Sequence, residues 1–349
     1  MPPASLTTVA REWGKIGVLG FGGPPAHIAL LRDLTVDRRR WIDAREFEDA
    51  FAACSLLPGP ASTQMAIFTA QRVAGRAGAL VGGLAFILPG LLAVLVIAAV
   101  ALGDDPPALV IGFGAGAAAA VVAVVVQAGV KLIRLPNPRA AVYVGAGAAG
   151  AALAGAAVVG VLLVCGLVEL GWRARHRLGA SVWPALVWLA AKVGALSFGG
   201  GYVIIPLMHG DAVEAQRWMS PQEFANAVAY GQITPGPVTH TVALVGYAAS
   251  GLGGALVATA VAFAPSFAFV MLGAPYFDRV RRSRHARAFL DGAGPAAAGA
   301  IVGAAVPLMQ SFEDAWQWLV LAAAALALLR LGPIWVLVAG GLAGAATTL

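Results

Sequence analysis

Two Pro-Gly-Pro triplets interrupt long apolar stretches of this sequence, and polar side chains that could bind an anion follow each triplet directly. The triplets are Pro58, Gly59, Pro60 and Pro235, Gly236, Pro237. Proline lacks an amide hydrogen and glycine lacks stiffness, so we expect a helix to break at each triplet and to restart after it. The following residues carry hydroxyl, amide or imidazole groups: Ser62, Thr63 and Gln64 in one segment, and Thr239, His240 and Thr241 in the other.

A restarted helix presents free N–H groups and the positive end of its dipole at its N-terminus, and this combination binds anions. Broken backbone at membrane depth is tolerated where protein buries it or where it lines a wet cavity. These segments therefore predict a site for a small anion, with His240 as a proton carrier or hydrogen-bond donor. His27 and His240 have no second ligand at metal-binding spacing, so neither a metal nor a cofactor is expected.

A glycine-rich motif also occurs twice, as GVLGFGGPPAHI at 17–28 and as GALSFGGGYVII at 194–205. Consecutive glycines allow close approach of a ligand and leave amides free to donate, although helix packing is the alternative role. The candidate binding glycines are Gly22, Gly23, Gly199 and Gly200. Lys15 and Lys192 lie upstream of the two motifs and are candidates for electrostatic support, with snorkelling to the membrane interface as the alternative.

The composition is that of a membrane protein. Of the 349 residues, 60% are hydrophobic and 11% are charged, whereas a soluble domain carries about 25% charged residues. Apolar runs at 79–102, 107–130 and 254–277 are each long enough to cross a hydrocarbon core of about 30 Å. The net charge of +6 is attributed to orientation in the bilayer, so the bilayer is an expected partner and nucleic acid is not.

The sequence contains an internal repeat, in which matching residues recur at a fixed interval. Trp41 and Trp218 are 177 residues apart, and the same interval separates Phe86 from Phe263 without a gap. The other pairs at this interval are Lys15 and Lys192, Phe21 and Phe198, Glu46 and Glu223, and Pro58 and Pro235. The sequence therefore predicts two membrane repeats, 1–178 and 179–349.

Each repeat is predicted to contain about five crossings plus a re-entrant Pro-Gly-Pro hairpin. The crossings are one at the start, two long ones and a final short pair, which is 140–154 with 155–171 in the first repeat and 317–331 with 332–348 in the second. An odd number of crossings inverts the second repeat, and this arrangement places most of the 23 lysines and arginines on one side. The predicted fold is an all-α polytopic membrane protein with two inverted-topology repeats.

Four segments carry a family resemblance: GFGGPPAHI (20–28), PGPASTQ (58–64), SFGGGYVIIPLM (197–208) and GQITPGPVTHTVALVGY (231–247). At these residues the sequence resembles the chromate ion transporter family, in its two-domain form. The resemblance implies an antiparallel duplicate that exports chromate across the cytoplasmic membrane with the proton gradient and gives chromate resistance. The sequence departs from the family pattern at Ser55, where glutamine is expected, whereas the second repeat keeps Gln232.

The residues themselves predict only a small oxyanion as substrate, and the resemblance adds chromate. Sulfate or another oxyanion is the alternative substrate, and an anion channel with two opposed re-entrant loops is the alternative function. No Ser-His-Asp set, nucleotide-binding loop or metal-binding cluster occurs in the sequence, so enzymatic activity is not expected. The expected location is the cytoplasmic (inner) membrane, as a multi-pass protein, and the sequence is compatible with a homo-oligomer.

Overall fold

The computed structural model describes residues 4–21, 23–56, 59–103, 105–133, 144–145, 148–149, 182–196, 204–273 and 298–348, and its regular structure over these ranges is helical. The all-α prediction is confirmed there. The N-terminal half (1–178) contains α1 (Leu6–Leu19), α2 (Pro24–Arg32), α3 (Ala44–Leu56), α4 (Ala61–Ala101) and α5 (Ala108–Leu132). The C-terminal half (179–349) contains α6 (Val182–Leu196), α7 (Ile204–His209), α8 (Pro221–Ile233), α9 (Thr241–Gly273), α10 (Ala305–Gln310), α11 (Ala315–Ala327) and α12 (Pro333–Ala346).

Three helical stretches are long and apolar enough to cross a membrane: Ala61–Ala101, Ala108–Lys131 and Val238–Gly273. They contain most of the three long runs predicted from the sequence, 79–102, 107–130 and 254–277, but the first and the third begin well before the predicted runs. The first has 41 residues and the third has 36, more than the roughly 20 residues that a bilayer requires. Each of these two contains a kink, at Ala74 and Gly75 in α4 and at Ser250 and Gly251 in α9. The portion after each kink is the part whose length suits a crossing.

The same local structures recur in the two halves at the predicted interval. Helices α3 and α8 begin and end 177 residues apart, and so do two π-helical segments, Asp33–Arg38 and Gly210–Ala215. Six-residue π-helical segments are rare. Their recurrence at one interval shows that the repeated sequence adopts repeated local structure.

Beyond the kinks the interval becomes 176. Gly75 corresponds there to Gly251, and Pro89 to Pro265. A Cβ atom built on Gly17 would lie against the Phe86 carbonyl, and one built on Gly194 would lie against the Ala262 carbonyl. The structural counterpart of Phe86 is therefore Ala262. The gapless alignment that paired Phe86 with Phe263 is wrong past the kink, because one residue fewer precedes the kink in the second half.

The first predicted crossing is not one helix. The first apolar segment of the sequence, 13–31, is where a crossing at the start of the repeat would lie, but α1 ends at Leu19 and α2 starts at Pro24. With 14 residues, α1 is about 21 Å long, which is shorter than a hydrocarbon core. The glycine-rich motif therefore breaks a helix, as the Pro-Gly-Pro triplets do.

Helices α11 and α12, with 13 and 14 residues, are also short, and most of their counterparts at 140–171 lie outside the described residues.

Glycine backbone sets the close packing of α5 against α12. A Cβ atom on Gly116 would meet the backbone of Gly340 and Gly344, and one on Gly112 would meet Gly344 and Thr348. Because these glycines have no side chains, the two backbones approach closely. Close packing at small residues is a usual way for helices to associate in a membrane, where the lipid is as apolar as the side chains.

Gly116→Ala is expected to destabilise the fold by about 1–3 kcal/mol, because the new methyl group meets fixed backbone. Thermal unfolding of the purified protein in detergent measures this effect. The matched control is Gly253→Ala on the exposed face of α9, where the nearest neighbour of the added Cβ would be Trp183 at 3.5 Å. We expect the control to be neutral or to stabilise by up to about 1 kcal/mol. Equal unfolding temperatures for the two variants would contradict this account of the packing.

Candidate functional site

Helices end and restart at both Pro-Gly-Pro segments. In the first break (57–60), α3 ends at Leu56, Gly59 has a φ of 116°, and Pro60 precedes the first turn of α4. In the second break (234–237), α8 ends at Ile233 and Gly236 has a φ of 95°. These positive φ angles suit glycine. Pro235 is half-buried and Pro237 precedes the 3₁₀ turn Val238–His240 that leads into α9, while Pro58 lies outside the described residues.

Each break packs against the long helix of the opposite half. A Cβ atom on Gly59 would lie 2.9 Å from Ser266 Oγ, and one on Gly236 would lie 3.8 Å from Gly90 Cα. Ser266 directly follows Pro265 in α9, and Gly90 directly follows Pro89 in α4. The two contacts are therefore equivalent and reciprocal. Each helix break therefore lies against the residue that follows a helix proline in the other half.

The carbonyl group of Gly20 joins the glycine-rich motif of the first half to the second break. It accepts a hydrogen bond from His27 Nε2 at 2.7 Å and another from the backbone N–H of Gly236 at 3.2 Å. Gly20 is the C-cap of α1, so its carbonyl group has no hydrogen-bond donor within that helix. A polar group exposed by one helix break is thus satisfied by the other half of the molecule.

Four buried hydroxyl groups around the two breaks have no hydrogen-bond partner among the described residues. Each belongs to a side chain that is at most 1% exposed: Ser62, Thr63, Thr239 and Ser266. Buried polar groups in native proteins are paired in the great majority of cases. The unpaired hydroxyls beside the two helix breaks are therefore candidates for hydrogen bonds to a polar ligand or to ordered water.

His240 ends the 3₁₀ turn that follows the second break, and its ring lies beside Gly236. Its side chain is fully buried, and a Cβ atom on Gly90 would lie 2.6 Å from its ring, so the absence of a side chain at residue 90 makes room for the imidazole. The ring of Phe263 meets it edge-on, with centroids 5.4 Å apart. Neither ring nitrogen makes a hydrogen bond within the described part of the chain, although the Ile87 carbonyl lies near the ring. The imidazole can therefore offer a donor to a ligand.

The remaining predicted binding residues differ in placement. Gln64 is fully buried, with its Nε2 beside Gly59. Thr241 is buried, but its hydroxyl donates to the Val238 carbonyl at 2.9 Å and so serves its own turn. Gly23 precedes α2 with a φ of 71°, and a Cβ atom there would meet no atom within 4 Å. Gly22, Gly199 and Gly200 lie outside the described residues.

The two predicted supporting lysines are not brought to the breaks. Lys15 is half-exposed, and its Nζ lies 3.9 Å from Glu12 Oε2. Lys192 is 5% exposed and forms an ion pair with Asp211. On α6, Lys192 projects roughly opposite to Gly194, and Gly194 is the residue whose carbonyl approaches Gly59. The charge of Lys192 is therefore directed towards the π-helical segment that carries Asp211.

Sequence reasoning missed Ser266, Gly20 and Gly90, and it treated His27 as an isolated residue. A signal for two of them was present, because Pro89 and Pro265 interrupt the two long apolar runs at equivalent positions. The residues after these prolines, Gly90 and Ser266, could have been compared. No pattern in the sequence indicates that the Gly20 carbonyl would accept bonds from both His27 and Gly236.

Comparison with known proteins decides the family. A family model described as "Chromate transporter" matches residues 7–171 and again residues 184–345. The chain belongs to the chromate transporter family. It is 31% identical to "Chromate transport protein" of Cupriavidus metallidurans over 88% of this chain and 83% of that protein. It is 30% identical to "Chromate transport protein" of Pseudomonas aeruginosa over 98% of this chain and 92% of that protein.

A third relative, "Probable chromate transport protein" of Synechococcus elongatus, is 29% identical over 90% of this chain and 87% of its own length. No solved structure matches the chain significantly. The predicted resemblance is confirmed, and membership of a transporter family agrees with the apolar helices in assigning this chain to a membrane.

Thr239→Val should leave the free energy of unfolding unchanged or raise it, because the hydroxyl that is removed is buried and unpaired. The matched variant is Thr241→Val, two residues away. It removes a hydrogen bond to Val238 and should destabilise the protein by about 1 kcal/mol. Unfolding in detergent without added anion measures both variants. If Thr239→Val is the more destabilising of the two, its hydroxyl supports the fold and is not held for a ligand.

Proposed function

We propose that this protein is a secondary transporter that exports chromate across the cytoplasmic (inner) membrane, as a multi-pass protein coupled to the proton gradient, and so gives chromate resistance. Membership of the chromate transporter family supports chromate as the substrate. Two relatives that match most of the chain at about 30% identity are named chromate transport proteins. The observation that carries the proposal is the set of unpaired buried hydroxyls and imidazole nitrogens beside the two helix breaks.

The proposed site lies where the first break faces Ser266 and the second break faces Gly90. The hydroxyls of Ser62, Thr63 and Thr239 donate to the oxyanion, and His240 donates through one ring nitrogen. The amides at the restart of each helix add donors and a positive dipole end. Gln64, Thr241 and the glycines Gly22, Gly23, Gly199 and Gly200 complete the proposed lining. Lys15 and Lys192, each paired with a carboxylate, remain proposed as electrostatic support from a greater distance.

Several neutral donors are the physical requirement for this substrate. Moving an ion from water into a protein interior costs at least several kcal/mol unless new hydrogen bonds replace those to water. A single hydroxyl supplies about 1.5–3 kcal/mol when it bonds to a charged group. Several donors from both halves can therefore together offset the free energy of moving an oxyanion from water into the bilayer.

We also propose that residues 1–178 and 179–349 are inverted repeats, each with a re-entrant Pro-Gly-Pro hairpin. Helix α3 has 13 residues, and α4 has 13 more between Ala61 and its kink at Ala74. Segments of this length rise about 20 Å, less than a full crossing. A chain that enters the membrane along α3 and returns along the first part of α4 suits these lengths. The reciprocal contacts of the two breaks suit two halves related by a pseudo-two-fold axis.

Inside-out vesicles that contain the protein should accumulate labelled chromate when a proton gradient is imposed, and an uncoupler should reduce the accumulation. Thr239→Val should lower the initial rate by roughly tenfold or more, because one charge-assisted hydrogen bond of about 1.5–3 kcal/mol is lost. Thr347→Val is the matched control. The Thr347 hydroxyl donates to Gly344 at the end of α12, and its removal should leave the rate unchanged.

Other outcomes of this experiment have definite meanings. Sulfate accumulation without chromate accumulation would assign the alternative substrate. Chromate flux that follows voltage, does not saturate and ignores the pH gradient would assign an anion channel. Equal rates for Thr239→Val and the wild type would exclude this hydroxyl from the site.

Reporter tags inserted after Arg39 and after Gln216 should lie in different compartments. These positions end the two equivalent π-helical segments, and both residues are exposed. Protease protection in intact cells and in inside-out vesicles measures the orientation of each tag. Finding both tags on the same side would rule out inverted repeats, whatever the substrate.

A further inference from the structure

His27 is a second histidine at the candidate site, and its surroundings define which ring nitrogen carries a hydrogen. The side chain is fully buried in α2. Its Nε2 lies 2.7 Å from the Gly20 carbonyl oxygen. A carbonyl oxygen can only accept, so Nε2 donates the hydrogen. In the neutral imidazole, Nδ1 is then an acceptor with a free lone pair.

The Nδ1 acceptor has no donor to pair with among the residues that the structure describes. The Cδ2–Nε2 edge of the ring faces Gly20, so Nδ1 lies on the opposite edge. Phe86 meets the ring edge-on, with centroids 5.0 Å apart, and offers it no hydrogen bond. A fully buried acceptor without a donor is costly. It indicates a ligand that brings a hydrogen of its own.

His27 is tied to the second break through Gly20, whose carbonyl also accepts from Gly236. On the other side of this contact, a Cβ atom on Gly236 would lie 3.0 Å from Cε1 of His240. Charged groups on the neighbouring elements form ion pairs with one another. Glu12 on α1 pairs with Lys15 and Arg39, Arg38 pairs with Asp33 on the π-helical segment, and Arg72 on α4 pairs with Glu46.

Tetrahedral oxyanions differ in whether they carry a hydrogen near neutral pH. Chromate takes up its first proton close to neutrality and becomes hydrogen chromate. Sulfate and selenate are conjugate bases of much stronger acids and stay fully ionised under the same conditions. Selenate is also closer to chromate in size than sulfate is, so size and protonation can be separated experimentally.

We infer that His27 selects the monoprotonated oxyanion by accepting a hydrogen bond from its O–H group at Nδ1. This inference rests on the proposed chromate transport and adds the form of the ion that is bound. The hydrogen bond uses the proton that the ion already carries when it binds, and the imidazole of His27 stays neutral. An unprotonated dianion would place a lone pair against the Nδ1 lone pair, so sulfate and selenate bind poorly.

The wild-type protein tests the inference without any variant. Proteoliposomes with the same buffer on both faces receive subsaturating labelled chromate. The initial rate should rise roughly tenfold between about pH 8 and about pH 6.5, as the protonated fraction of the substrate rises. Excess selenate should compete poorly throughout this range. Competition by selenate as strong as that by unlabelled chromate, or a rate independent of pH, would overturn the inference.

The variant His27→Leu removes the acceptor, because leucine has neither an acceptor nor a donor. The Gly20 carbonyl loses the histidine donor but keeps the bond from Gly236. We expect the discrimination between chromate and selenate to fall by about tenfold and the pH dependence to flatten, while the lost bond to Gly20 destabilises the fold by about 1 kcal/mol. His209→Leu is the matched control, since His209 is another buried histidine, packed on Phe224 and 3.4 Å from Glu214. It should keep the wild-type discrimination and pH profile.

The outcomes separate this inference from the function on which it rests. If the wild type transports no chromate at any pH, the proposed function fails. If it transports chromate but His27→Leu keeps the wild-type selenate discrimination and pH profile, only the role of His27 fails.

Discussion

Peptide groups inside a bilayer have no water to bond to, and this constraint governs the centre of the molecule. The chain breaks its helices at three described places: after Leu19, after Leu56 and after Ile233. Each break exposes backbone groups that an uninterrupted helix would satisfy. The structure meets this demand across the two halves, since the Gly20 carbonyl binds the Gly236 amide. Breaks that were each unfavourable alone are stabilised by being placed together.

The mutual dependence of the breaks makes the two halves one functional unit. The first break rests on Ser266 of the second half, and the second break rests on Gly90 of the first half. Each contact lies one residue after a helix proline, where a helix lacks one of its own hydrogen bonds. Neither half could keep its break buried if the other were removed. A site built from both breaks is therefore a property of the pair.

Much of this arrangement was predictable, because the signals were local. Pro-Gly-Pro ends a helix wherever it occurs, and the positions at which α3 ends and α4 begins agree with that expectation. The long apolar runs predicted the long helices. The register beyond the kink was not predictable from matching residues, since Phe86 and Phe263 agree in type but not in position. The break of the first crossing at Gly20 was also missed, because glycine alone permits a helix to continue. Side-chain partners such as Lys192 with Asp211 depend on tertiary packing.

The two breaks are equivalent in backbone but different in chemistry. At the interval of 177, His240 occupies the position of Thr63, and at the interval of 176 beyond the kink, Ser266 occupies that of Gly90. The half with the large imidazole faces a glycine, which leaves space for the ring, and the half with the smaller threonine faces a serine. The exchange keeps the packing similar while it changes the hydrogen-bonding groups. The first break then offers hydroxyl and amide groups, whereas the second offers hydroxyl groups and imidazole nitrogens. An ion whose oxygens are not all alike, such as a singly protonated oxyanion, can be held in one orientation by such a site, whereas a symmetric dianion gains nothing from the difference.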